Sequence, residues 1–191
     1  MDGSKRSAHS NAYFTGIGSS RRIVLFDTLI NSLEDDELEA VLAHEIGHWK
    51  FGHIRTRLLV SAFASLAVFA LIGAGLYWQN LFTAFGFNDP SLHALLFWLS
   101  FYLGPISLAA APIGNFLSRK HEYQADRFAA AACGTSETMK RALLSLNREN
   151  LSNLNPHPAY SFWHYSHPAP TERLSALDEL KAPKSDHIDN G

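Results

Sequence analysis

Val41-Leu42-Ala43-His44-Glu45-Ile46-Gly47-His48-Trp49-Lys50 decides how the rest of the chain is read. It follows an acidic run, Glu34-Asp35-Asp36-Glu37, that suits the positive end of a helix dipole, and Ser32 with Asp35 three residues on approximates a capping box. Leu38, Val41 and Leu42 recur at helical spacing, so residues 33–56 are expected as one helix. On a helix, His44 and His48 lie one turn apart on one face and can hold a single Zn²⁺. Glu45 then stands beside them as general base toward a water that the metal acidifies to a pKa of about 7. Alone, H-E-x-x-H also fits an ordinary helix with two solvated histidines, so its surroundings have to decide.

Those surroundings are segregated. Of 191 residues, 47% are hydrophobic and 18% charged, yet no Asp, Glu, Lys or Arg falls between Arg57 and Asp89, or between Asp89 and Arg119. Residues 58–78 and 92–118 are therefore expected as two membrane-spanning helices, since roughly 20 residues cross a hydrocarbon core of about 30 Å. Tyr77 and Trp78 resemble an interfacial belt, and Pro105 and Pro112 kink the second span. The linker from Gln79 to Ser91 is short and lacks Lys and Arg, whereas Lys50, Arg55, Arg57, Arg119 and Lys120 flank the spans. The two spans thus form a hairpin whose flanks share one side, the cytoplasmic one. The competing reading is a pair of buried helices in a large soluble core.

A third ligand defines the subclass. His53 is not one: on a continuous helix it sits nine residues past His44, about 180° round the axis, and Phe51 and Ile54 break the longer pattern in which a third histidine completes the site. Glu122 and Asp126, in Arg119-Lys-His-Glu-Tyr-Gln-Ala-Asp126, return to the same side as His44 and share a helical face. Such a pair can supply one ligating carboxylate and one acid that orients a histidine or the ligand itself.

Upstream, 11–16 and 23–30 read as two short strands around a turn at 18–22, a β-hairpin. Downstream, 119–150 reads as two helices broken at Gly134, the second capped by Thr135 or Ser136. An irregular stretch, 151–170, precedes a short helix, 171–180, and a polar tail. A net charge of −2 offers no nucleic-acid footprint, and the single Cys133 reads as a packing residue.

Taken in order, Asn11-Ala-Tyr-Phe-Thr-Gly16, Arg22-Ile-Val-Leu-Phe-Asp-Thr-Leu-Ile30, the His44–His48 motif, Glu122-Tyr-Gln-Ala-Asp126 and Trp163-His-Tyr-Ser-His-Pro168 resemble type 1 CaaX prenyl proteases, grouped with the HtpX membrane proteases among zinc metallopeptidases. Trp163–Pro168 and Phe85-Gly86-Phe87 point to the prenyl-protease branch. The resemblance implies one Zn²⁺ per chain held by His44, His48 and Glu122, with Glu45 catalytic and Asp126 supporting it. It further implies Asn11 on substrate backbone, and His167 and Arg173 near the scissile bond, holding its oxyanion or the substrate carboxylate. His164 stays a loop residue. Family members carry several more membrane helices before the Asn11 strand, so this chain is expected to be a truncation or partial reading frame.

The expected fold is mainly α with a small β-hairpin, a zincin-type (gluzincin) catalytic domain spanning 1–191 with a two-helix transmembrane hairpin inserted. The expected protein is an integral membrane one, of the bacterial inner membrane or endoplasmic reticulum, acting on a prenylated C-terminal peptide or, in a bacterium, on some other membrane-associated protein, with the lipid bilayer as its other partner. Its oligomeric state is left open. Two rivals stand: a quality-control protease of the HtpX kind, and a zinc-binding membrane scaffold without catalysis.

Overall fold

The structure, a computed structural model, describes residues 12–15, 22–150 and 153–180. Asn11, the turn at 18–21 and the tail from 181 lie outside the described residues. The chain divides into two compact units, one made of the segments up to Phe51 and from Asn115 on, the other of Gly52–Gly114.

In the first unit, β1 (Ala12–Thr15) pairs antiparallel with β2 (Arg22–Leu25), Ala12 opposite Leu25 and Thr15 opposite Arg22. The second strand stops at Leu25 instead of reaching Ile30, because Asp27–Ser32 turns into helix α1. Asp27 occupies its first turn, where a carboxylate favours the unpaired amides, and Leu29 is buried with Val41 and Ala142. Burying Leu29 on that side selects the helix over an extended strand.

Leu33 is extended and separates α1 from α2 (Asp35–Lys50). The capping box is real but set two residues later than Ser32: Glu34 is the N-cap, and Glu37 reaches back to the Glu34 amide at 3.2 Å. Ser32 Oγ instead donates to the Leu29 carbonyl and closes α1. Helix α2 also ends six residues earlier than 56. Gly52 takes φ +69°, the left-handed conformation that terminates helices and that glycine adopts without steric penalty.

The helix α5 (Leu92–Ala132) runs 41 residues, continuing through Pro105 and Pro112 into the stretch that carries Glu122 and Asp126. It breaks at Gly134, again at positive φ. Thr135 Oγ1 accepts from the Glu137 amide and caps α6 (Ser136–Asn150). Where an irregular stretch is expected, Pro158–His164 forms a short helix, α7, with Pro158 in its first turn and the His157 side chain accepting from the Ala159 amide. Helix α8 (Pro170–Glu179) follows.

The core of this unit is built from small residues. Ala40 and Ala43 of α2, Ala129 and Ala130 of α5, Met139 and Leu143 of α6 and Leu177 of α8 form one buried cluster, with Cys133 packed against it. Lys140 to Asp178 at 2.6 Å, and Arg141 to Glu34 and Asp36, tie α6 to α8 and α2 at the surface.

The second unit carries α3 (His53–Leu76), α4 (Gln79–Ala84) and the first part of α5. Phe82, Ala94 and Leu95 are buried together, with Ile72, Leu76 and Trp98 against them. No residue in the most apolar window of α3 is buried, and Phe63 and Phe69 are each 69% exposed. Past Arg55 and Arg57 the rest of α3, Leu58 to Leu76, carries no charge and is apolar all round, a surface that finds its solvent in lipid, and α3 and α5 are both long and apolar enough to cross a membrane. His53 is the first residue of α3 and is buried.

Candidate metal centre

Two helices supply the donors. On α2, His44 and His48 stand one turn apart, and their Nε2 atoms converge to 3.1 Å. On α5, Glu122 brings Oε2 to 3.6 Å from His44 Nε2 and Oε1 to 3.4 Å from His48 Nε2. All three can offer ligand atoms within 4.8 Å of one another. A tetrahedral ion with bonds of 2.0–2.1 Å separates neighbouring ligand atoms by about 3.3–3.4 Å. The residues therefore fit a small divalent ion in both chemistry and spacing.

The close approach depends on Gly47, which faces α5 between the two histidines. A Cβ there would meet Ala125 Cα and Phe128 Cδ1, each at 3.2 Å. Glycine at this point of the motif, with Ala125 wholly buried opposite, lets the main chains come near enough for a carboxylate as short as Glu122 to reach both imidazoles.

A layer of hydrogen bonds stands behind the donors. Asp126 Oδ1 lies 2.9 Å from His44 Nδ1, so a proton on Nδ1 leaves the Nε2 lone pair toward the convergence point. Arg173 of α8 grips the same carboxylate with two N–H groups, Nε to Oδ2 at 2.8 Å and Nη2 to Oδ1 at 2.5 Å. Its Nη1 sits 3.6 Å from Glu122 Oε2. His167 is exposed and brings Nδ1 to 3.1 Å from the same oxygen. Tyr123 donates to Glu172, a second tie from α5 to α8 beside the site.

Burial works against the charges on Glu122, Asp126 and Arg173. Burial pushes the Glu122 carboxyl up, but hydrogen bonds from His167 and His48 and the Arg173 charge outweigh it and hold the group well below the usual carboxylate range. Asp126 is likewise pushed up by burial and brought down further by Arg173 and His44. Burial alone would lower Arg173; the Asp126 hydrogen bond keeps it above its ordinary value. Glu45 differs. Half-buried on α2, it is pushed above the usual range by desolvation, only partly offset by His44 and His48. A carboxylate with raised proton affinity next to an electrophilic centre is suited to taking up a proton.

Seven of the eight residues singled out in the sequence thus lie among the described residues, and His44, His48, Glu122, Asp126, His167 and Arg173 are joined in one network of contacts. Glu45 neighbours them, feeling the charges of His44, His48, Glu122 and His167. Asn11 is outside the described residues. Gly47 stands at one of the two variable positions of H-E-x-x-H, where the pattern itself asks for no particular residue, and a small residue between paired ligands is the signal of a close helix crossing.

Residues 1–181 match Peptidase family M48. CAAX prenyl protease 1 of Saccharomyces cerevisiae is 42% identical, over 96% of this chain and 44% of the yeast protein. The human CAAX prenyl protease 1 homolog is 37% identical, over 95% of this chain and 46% of its own length. The crystal structure of S. mikatae Ste24p superposes with a TM-score of 0.78 at 45% identity, covering 93% of this chain and 44% of that one. The chain spans less than half the length of these relatives.

Proposed function

The chain belongs to Peptidase family M48, and from that premise we propose that it is a membrane-integral zinc endopeptidase cutting near the C-terminus of prenylated proteins. The observation that carries the reading is the convergence of His44, His48 and Glu122 beside Glu45. Relatives named CAAX prenyl protease support the substrate class.

In this reading His44, His48 and Glu122 hold one zinc. A zinc ion so held polarises a peptide carbonyl and makes water acidic enough to attack it near neutral pH. Glu45 takes the proton from the attacking water on its carboxylate and returns it to the leaving amine. Asp126 keeps His44 in the tautomer that presents Nε2, and Arg173 balances the two buried carboxylates. His167 donates toward the oxygen that gains charge in the transition state, or toward the substrate carboxylate. An extended peptide adds as a strand at the β1 edge, with Asn11 on its backbone. Lys50, Arg55 and Arg57 before the first charge-free run and Arg119 and Lys120 after the second, with no Lys or Arg between the runs, support a cytoplasmic catalytic side.

The test is hydrolysis by detergent-purified protein of a farnesylated C-terminal peptide against the same peptide without the lipid. The reading expects cleavage of the lipidated peptide, loss on chelation and recovery with zinc. Equal cleavage of unlipidated substrates moves the protein to broad membrane quality control. No cleavage by the zinc-loaded protein contradicts the reading.

A further inference from the structure

We infer that Arg119 is a positioning residue that, with Asn115, clamps the end of α7 and thereby sets His167 against Glu122. Helix α7 has seven residues, too few to be stable alone, and only Ser161 among them is buried. Apolar packing therefore does not hold it. Its carbonyls are held instead. Arg119 Nη1 donates to Tyr165 O at 2.9 Å, Phe162 O at 3.3 Å and Ser161 O at 3.4 Å, and Asn115 Nδ2 donates to Trp163 O at 2.7 Å. The guanidinium also lies 5.7 Å from the centre of the Phe162 ring. Ser161 O also accepts from the Tyr165 amide at 3.0 Å, and the others lie at the end of the helix and just beyond it, where carbonyls run short of helical partners.

The clamp is linked to the candidate ligand by the helix that carries both. Arg119 and Glu122 are three residues apart on α5, a rise of about 4.5 Å. At the other end, Tyr165 is two residues before His167, whose Nδ1 reaches Glu122 Oε2 at 3.1 Å. His167 is two-thirds exposed. The closed circuit Glu122–Arg119–Tyr165–His167–Glu122 thus fixes where the imidazole stands. All three carbonyls are met by the one nitrogen Nη1, whose two N–H groups are shared among them, so a lysine ammonium at this position keeps the charge and part of the contacts.

The inference rests on Glu122 being a metal ligand, and its test is read in zinc affinity. Partners that hydrogen-bond a ligand typically change metal affinity by about 10–100-fold. Zinc binding is measured by competition with a chromophoric chelator for the whole chain in detergent, as wild type, Arg119→Ala, Arg119→Lys, His167→Ala and the Arg119→Ala/His167→Ala pair. Arg119→Ala and His167→Ala are each expected to weaken zinc by about tenfold, Arg119→Lys by less, and the pair no more than His167→Ala alone, because both act through one contact. Wild-type affinity in Arg119→Ala, or a pair whose losses multiply, overturns the inference. If the wild type binds no zinc, the metal reading fails by itself, and chymotrypsin digestion then decides on the clamp. Cleavage at Tyr160–Tyr165 several-fold faster in Arg119→Ala than in wild type supports it; equal rates overturn it.

Discussion

Glu45 and the Arg173–Asp126 pair illustrate two ways of using a buried charge. At Glu45 desolvation outweighs the offset from His44 and His48 and raises its proton affinity. Glu45→Gln keeps size and polarity but cannot accept a proton. Hydrolysis is expected to fall by about 10²–10⁴-fold, the usual contribution of a general base, with zinc content unchanged. Asp126 is the opposite case: 2% exposed, it survives as a carboxylate because Arg173 meets it with two hydrogen bonds. Removing one partner of a buried ion pair leaves the other uncompensated, so Arg173→Ala is expected to destabilise the protein by about 3–5 kcal/mol, and Arg173→Lys to recover only part of that. Chemical denaturation in detergent measures both, and wild-type stability in Arg173→Ala would sink the assignment.

The crossing of α2 and α5 turns residues into a site, and Gly47 sits at its closest point. In Gly47→Ala the new methyl presses on the Ala125 main chain, which cannot move aside, and on the Phe128 ring, which can. Overpacking of this kind costs about 1–3 kcal/mol, and the expected result is a lower melting temperature together with weaker zinc binding, as Glu122 is levered away from the histidines. An unchanged zinc affinity in Gly47→Ala would mean that the crossing distance does not govern the site. The site was legible in the sequence because its parts depend on local spacing: His44 and His48 four apart, Glu122 and Asp126 four apart, charge-free runs between them. The break at Gly134 and the helix of residues 170–179 are also local, set by a left-handed glycine and an N-terminal proline. What escaped was decided at a distance. Asp27–Ser32 becomes helical because Leu29 packs on Val41 and Ala142, and Pro158–His164 is held by Arg119 and Asn115 more than 40 residues away. Such partners are invisible in a short window.

At the scale of the whole chain, the candidate ligands bracket an apolar insertion, His44 and His48 before it and Glu122 after it. The exposed surface of α3 requires lipid, so the protein is expected to stay in the membrane pellet through alkaline carbonate extraction. An arginine at Leu66, near the middle of α3, costs about 2.5–3.5 kcal/mol of insertion free energy, and should shift a measurable fraction into the carbonate supernatant. Retention identical to wild type would argue that α3 does not lie in the hydrocarbon. The account depends most on the metal that joins the two helices across the insertion. The direct measurement is metal content of the detergent-purified chain as wild type, Glu122→Ala and Glu45→Gln. About one zinc per chain in the wild type, retained in Glu45→Gln and largely lost in Glu122→Ala, is the expected result. No stoichiometric metal in the wild type, or full occupancy in Glu122→Ala, would contradict a centre built from His44, His48 and Glu122.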